Sequence, residues 1–365
     1  MTRIPLVDCC EILDSQRVPI TAKDRKEGPY PYYGANGVQD YVADYIFDDD
    51  LVLLAEDGGN FGSKERPIAY RVSGKCWVNN HAHVLKPKAG TDVDYLCYAL
   101  MFYDTSGLVN GATRQKLTQA AMRQMTIPAA SIKDQQEIVS KIAKVEQIKS
   151  KREKQLHQLD ELIKARFVEM FGDQESNPFS WQQLTIGETC TLKSGTSLPA
   201  DIENEGGPIP YVKVGDMNYP GNERYITTSS RYVSVQTAGK GIFPVGSILF
   251  PKRGGAIGTN KKRMTALPIC ADLNIMGVTS NGSFVPEYLM AFFDMIDLGA
   301  LDNGSSVPQI NNKDIAPLRI CVPPMDLQIE FAAFVSQIDK SKVVVQKALD
   351  EAQLLFDSLM QLYFG

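Results

Sequence analysis

The chain repeats itself once at long range, and this limits what it can fold into more than any single motif does. Residues 137–172 and 330–365 are stretches of equal length that share Glu137/Glu330, Lys149/Lys342, Lys154/Lys347, Leu156/Leu349, Leu162/Leu355, Phe171/Phe364 and Gly172/Gly365. The offset is 193 residues, the distance from Gly172 to Gly365. The same shift pairs Tyr95-Leu96 with Tyr288-Leu289 and Gly111 with Gly304. Solenoid units are far shorter than this. One large module, a globular unit followed by a long helix, has been duplicated. A chain built this way is expected to offer two similar surfaces to something with approximate two-fold symmetry.

The helical part of the module carries a heptad pattern. Ile138, Ile142, Val145, Leu156, Leu159, Ile163 and Met170 fall on a and d positions of one frame. Phe331, Val335, Ile338, Val345, Leu349, Ala352, Phe356, Leu359 and Tyr363 obey the same frame in the second copy, and Lys149 and Lys342 share one a position. Asp134-Gln135-Gln136-Glu137 has the form of a capping box with Asp134 as N-cap. A helix from Glu137 to Gly172 would be roughly 54 Å long, more than a small β-rich domain can cover. Each helix could pack along its own domain, but a seam sustained over more than four heptads favours pairing of the two helices. Antiparallel pairing is expected, because only that arrangement relates the copies by a pseudo-two-fold axis. Leu156 and Leu349, near mid-helix, are expected to be buried in the seam.

The rest of each module is punctuated by Gly, Pro and Asn, with short apolar runs that read as strands. Leu51-Val52-Leu53-Leu54, Ile68 to Val72, Ile209 to Val212 and Ser247 to Phe250 are examples. Helices are expected over Val93 to Tyr103 and Pro286 to Asp297. The expected class is therefore α/β (α+β), with two β-rich globular units carrying short helices and joined by two long antiparallel coiled-coil helices. The boundaries read as 1–130 for the first unit, 131–172 for the central helix, 173–324 for the second unit and 325–365 for the last helix. At 365 residues with 44% hydrophobic and 22% charged content, the chain has ample core. Its net charge of -5 argues against coating nucleic acid by bulk positive charge. No membrane span or leader stands out, and seven scattered Cys without a CxxC suit buried thiols in a reducing cytoplasm.

Catalytic signatures are missing. Gly58-Gly59-Asn60-Phe61-Gly62-Ser63-Lys64 is glycine-rich but departs from a phosphate-binding loop, and Asn177-Pro178-Phe179 lacks the second proline of an adenine methyltransferase motif. His81, His83 and Cys76 make a thin metal set, and a structural role suits them better. No metal or cofactor is expected in this chain. The glycine loops are more informative. Glu56-Asp57-Gly58-Gly59 corresponds to Lys252-Arg253-Gly254-Gly255, so a shared scaffold carries opposite charges. The second loop continues through Asn260, Lys261, Lys262 and Arg263, which gathers five cations within twelve positions. Arg and Lys suit phosphates and guanine edges, and glycine lets a backbone approach a ligand. The five cations are expected to face DNA. Further candidates for DNA contact are Gln309, Asn311 and Asn312 in the second unit. In the first they are Tyr32, Tyr33, Asn36, Asn60, Lys64, Arg66, Arg114 and Lys116. Glu56 and Asp57 could accept from cytosine amino groups or simply cap a turn.

The duplicated architecture resembles the specificity subunit of a type I restriction-modification enzyme. The most specific likenesses are the helices ending Phe171-Gly172 and Phe364-Gly365 and their entries at Pro128…Asp134-Gln135-Gln136-Glu137 and Val322-Pro323-Pro324…Gln328. Trp181-Gln182-Gln183-Leu184, Gly187-Glu188, Lys193-Ser194-Gly195 and Gly304-Ser305-Ser306…Gln309-Ile310 add to them. The first unit departs from that opening: it has no Trp at Arg3 to Leu6, and Asp14-Ser15-Gln16-Arg17 stands where Lys193-Ser194-Gly195 lies. The resemblance implies two target recognition domains, each reading half of a split, asymmetric sequence in double-stranded DNA, with the helices as a spacer ruler. It implies two methyltransferase subunits as partners and, in complexes that also cleave, two restriction subunits with motor and nuclease activity. S-adenosylmethionine, ATP and Mg would then belong to the partners. A duplicated coiled-coil adaptor with non-DNA ligands is the competing expectation.

Overall fold

The structure, a computed structural model, describes residues 2–111, 114–301 and 308–365. The Gly304-Ser305-Ser306 likeness lies outside these residues, as does the second member of the Gly111/Gly304 pair. The chain forms two compact units, Met1–Glu153 with Lys347–Gly365, and Lys154–Gln346. The division cuts through both long helices instead of falling at their ends, and the cores explain why. Ile142, Val145, Ala352 and Phe356 are buried in the first unit's core, and Ile163, Val335 and Ile338 in the second's. Each unit thus contains half of each helix.

In the first unit a six-stranded sheet runs in the order Cys10–Ile12, Ala82–Pro87, Phe47–Ala55, Ala69–Val78, Tyr30–Gly34, Gly37–Val42. All pairings are antiparallel except Tyr30–Gly34 with Ala69–Val78, where Tyr32 is opposite Trp77. A helix over Val93–Met101 packs Leu96 and Leu100 inward, and Asp92 caps it by accepting from the amides of Asp94 and Tyr95. In the second unit a five-stranded sheet has the order Cys190–Ser194, Ile275–Ser280, Ile248–Pro251, Arg263–Thr265, Tyr225–Ile226. Pro286 opens the helix Pro286–Asp294, where its missing N–H costs nothing.

The duplication extends to single hydrogen bonds. Arg3–Pro5 pairs with Thr126–Pro128 as Gln182–Thr185 pairs with Arg319–Val322. The Tyr95 hydroxyl donates to Pro128 O at 3.0 Å, and the Tyr288 hydroxyl to Cys321 O at 2.8 Å. Gln135 accepts from Asp92 N at 2.8 Å and donates to the carbonyls of Gly90 and Ala130. Gln328 accepts from Val285 N at 3.0 Å and donates to Ser283 O and Pro323 O. All four pairs of partners, Pro128/Cys321, Asp92/Val285, Gly90/Ser283 and Ala130/Pro323, lie at the 193-residue offset, and both buried glutamines satisfy backbone groups of their own unit.

The two long helices are Ile132–Phe171 and Met325–Phe364, 40 residues each. They run antiparallel within each unit. In the first, Lys141 Nζ lies 3.3 Å from the Tyr363 hydroxyl and Lys149 Nζ sits 4.6 Å from the Phe356 ring centre. In the second, Lys342 pairs with Asp160, and Arg166 reaches Glu330 at 3.0 Å. Two expectations need correction. The central helix begins earlier than Asp134: Ser131 Oγ accepts from Asp134 N at 3.2 Å and so acts as the cap. Leu156 and Leu349 are half-buried and belong to neither globular core, whereas Leu159, equally half-buried, packs against the second core. Gly172, at φ +75°, ends the central helix where a Cβ would meet Pro178 Cγ at 2.5 Å. All seven cysteines are free and buried, and burial pushes Cys10, Cys76 and Cys97 up to about 12, which keeps them protonated and inert. Among the described residues no helix is long and apolar enough to cross a membrane.

Candidate nucleic-acid interface

In the first unit the loop leaving Phe47–Ala55 is clamped by the chain returning at residues 114–117. Asp57 bridges Lys116 in antiparallel fashion, Gly58 N donates to Gln115 O at 3.0 Å, and Leu117 N donates to Glu56 O at 2.7 Å. From the hairpin turn, Asn36 Nδ2 donates to Gly58 O at 3.1 Å. The structure therefore gathers Asn36, Glu56, Asp57, Arg114 and Lys116, which lie far apart in sequence.

Both loop carboxylates are already engaged by cations. Glu56 lies 2.6 Å from Arg17 Nη1 and 3.2 Å from Lys116 Nζ. Asp57 lies 2.7 Å from Arg114 Nε and 3.3 Å from His81 Nδ1. Behind them, buried His83 places Nδ1 2.7 Å from Asp14 Oδ2 and Nε2 2.9 Å from Leu117 O. Burial pushes the Asp14 carboxyl up, but hydrogen bonds from His83, Gln119 and the Val84 amide outweigh it and leave its pKa lowered. Asp14, Glu56 and His83 come within 4.8 Å of one another, yet Arg17 and Lys116 supply positive charge there, so the cluster reads as an internal ion network. Cys76 is packed in a separate apolar cluster with Phe47, Leu51 and Val72.

Other first-unit candidates divide. Tyr32 is 1% exposed, takes the Ile20 amide on its hydroxyl at 3.0 Å and lies under Arg25, 4.2 Å from the ring centre. It is a core residue and cannot face a base. Tyr33 is half-buried beside Tyr70, and Asn60 begins a turn in which its carbonyl accepts from Ser63 N. Lys64 and Arg66 are exposed.

In the second unit the corresponding loop is clamped in the same way: Arg253 bridges Gln309, Gly254 N donates to Pro308 O at 2.8 Å, and Ile310 N to Lys252 O at 2.9 Å. A tight helical turn over Gly254–Thr259 follows and closes on Asn260 in the left-handed region. The five cations do not form one outward face. Lys252 is 7% exposed and donates to Ser194 Oγ at 2.8 Å; burial and then the neighbouring Arg253 lower its pKa. Lys262 is 4% exposed and donates to Asn260 Oδ1 at 2.8 Å and Ile296 O at 2.5 Å; burial pushes it down to about 8. These two are internal braces: the Lys252 ammonium ties the loop to the strand Cys190–Ser194, and that of Lys262 ties it to the chain just beyond the helix Pro286–Asp294. Arg263 is half-buried against the carbonyls of Met217 and Lys262, and Lys261 is half-buried beside Asn218. Arg253 and the Gly255 backbone are exposed. Asn311 accepts back from its own short helix with Asp314 as reciprocal cap, Gln309 donates to Asn311 Oδ1, and Asn312 is exposed.

A family model described as the type I restriction modification DNA specificity domain matches residues 2–159 and 178–352. The chain belongs to this family. A putative type I restriction enzyme specificity subunit of Haemophilus influenzae is 25% identical over 369 residues, covering 98% of this chain and 92% of the relative. A specificity subunit of the type I restriction enzyme MjaIX of Methanocaldococcus jannaschii is 22% identical over 328 residues, covering 82% and 75%. The crystal structure of a type I restriction-modification system S subunit from M. genitalium shares the fold with a TM-score of 0.57 at 14% identity, covering 100% of this chain and 96% of that one. This chain is thus a specificity subunit with two recognition domains, one per copy of the module. The sequence did not mark Gln135 and Gln328 as the buried hydrogen-bonding brackets of the repeat, although their 193-residue spacing announces them. It also missed Arg17, Asp14 and His81 around the first loop, for which no linear signal exists.

Proposed function

We propose that this specificity subunit reads a split, asymmetric sequence in duplex DNA, one unit per half, while the paired helices set the spacing. The observation that carries this is the duplicated, clamped Gly-Gly loop on which the exposed groups differ: Arg114 and Lys116 on the returning chain of the first unit, and Arg253 on the loop itself in the second. A shared frame with different side chains on it suits the reading of two different half-sequences. Duplex DNA offers half-sites about one helical turn apart, and a helical rod holds such a distance better than a flexible linker does.

The methyl transfer belongs to two methyltransferase subunits that hold S-adenosylmethionine, and cleavage, where it occurs, to two restriction subunits using ATP and Mg. The first unit supports a protein partner: Leu354, Leu355 and Leu362 are exposed along one side of the last helix. The net charge of -5 is then no obstacle, since partner subunits can supply phosphate contacts.

The test is methylation mapping. The purified chain alone is expected to leave DNA unmodified, and the chain with its system's methyltransferase to direct adenine methylation to a two-part sequence. Seven residues inserted into both helices should lengthen the gap and keep both halves. Methyl transfer by the isolated chain, or an unchanged gap, would contradict the reading.

A further inference from the structure

The first unit's loop is acidic, but its outward donors are not. Asp57 and Arg114 form an ion pair at the Nε edge of the guanidinium, 2.7 Å long, and the Arg114 side chain remains 60% exposed. Among the described residues nothing hydrogen-bonds its two terminal nitrogens. The pair is itself held in place. The Asp57 backbone is bridged to Lys116, and His81 Nδ1 lies 3.3 Å from the far carboxylate oxygen without hydrogen-bonding to it. Gly58, at φ +72°, sits directly beneath, where a Cβ would come 3.2 Å from Arg114 Nε.

A cation needed only for phosphate gains nothing from such an arrangement. Pairing with a carboxylate cancels most of the charge that attracts a phosphate, whereas it fixes the plane of the guanidinium and leaves a directional fork of donors. That fork matches O6 and N7 of guanine in the major groove. The second unit reaches the same end differently. Arg253 occupies the position of Asp57 on the loop, Gln309 that of Lys116 on the returning chain, and Arg253 is exposed. Each unit therefore shows an arginine beside its Gly-Gly turn, supplied by the returning chain in one and by the loop in the other.

We propose that Arg114 reads a guanine in the first unit's half-site and that Asp57 is its positioning residue. This rests on the first unit being a DNA-reading unit. The experiment uses the chain assembled with the methyltransferase of its own system, and maps base preference at every target position together with the salt dependence of binding. Arg114→Ala and Arg114→Lys should both relax discrimination at one guanine by about tenfold to a hundredfold, because lysine keeps the charge but loses the fork. Asp57→Asn should relax the same position by less and steepen the salt dependence, because it releases an uncompensated cation. If Arg114→Lys keeps full discrimination while Arg114→Ala weakens all sequences alike, the residue is a phosphate contact and the inference fails. It also fails if a sequence-specific wild type is matched at every position by all three variants. A wild-type complex without sequence preference would remove the proposed function, and this inference with it.

Discussion

The cost of burying the Lys262 ammonium is only partly offset by the carboxylates of Asp294 and Asp297, so its pKa falls to about 8 from 10.5. Below pH 8 folded and unfolded chains both hold the proton, and the full cost of the buried charge is present. As pH rises toward 10.5 the folded state has released the proton while the unfolded state still binds it, so stability climbs. Relative to Lys262→Met, the wild type is predicted to gain up to about 3 kcal/mol across that window. Urea unfolding of both proteins at several pH values checks this, and a pH-independent difference would contradict it. The residue also shows how a cation-rich stretch can mislead. Lys252 is turned inward and its neighbour Arg253 outward on extended chain ahead of the Gly254–Thr259 turn, and Lys262 is turned inward after it, a placement that composition does not encode.

At the scale of elements, helix positions with equal heptad rank differ in their cover. Ile142 is fully buried in a globular core, whereas Leu156 belongs to none. Ile142→Ala should cost about 2–5 kcal/mol, and Leu156→Ala less than about 2 kcal/mol, since surface already wet loses little. Thermal or urea unfolding of the two variants decides, and equal losses would mean that Leu156 is as well covered as Ile142. The long helices, the class of fold and many strand positions were legible because they rest on periodicity and on a repeat, both local or countable signals. The central helix start was misread by three residues, because Ser131 and Asp134 are both good caps and only the hydrogen bond to Ser131 Oγ separates them. The loop sites were the least legible. Residues 14–17, 56–58, 81–83 and 114–117 converge through sheet order, and no spacing in the chain foretells that Arg17 would neutralise Glu56.

For the whole molecule, a single inherited frame carries two different charge patterns. The Gln135 and Gln328 brackets, the Tyr95 and Tyr288 tethers and the clamped Gly-Gly loops are kept in both units, while the side chains on those loops are exchanged. A protein under demand for two separate readings would vary just these side chains and hold the frame. The central claim is that each unit governs one half of the target. The most direct test is to map methylated adenines in DNA modified by the assembled complex, with wild-type chain and with Arg253→Ala. The account predicts a two-part sequence separated by unspecified bases, with the substitution loosening positions in one part and leaving the other unchanged. A continuous recognition sequence, or loosening of both parts by this single change, would contradict it.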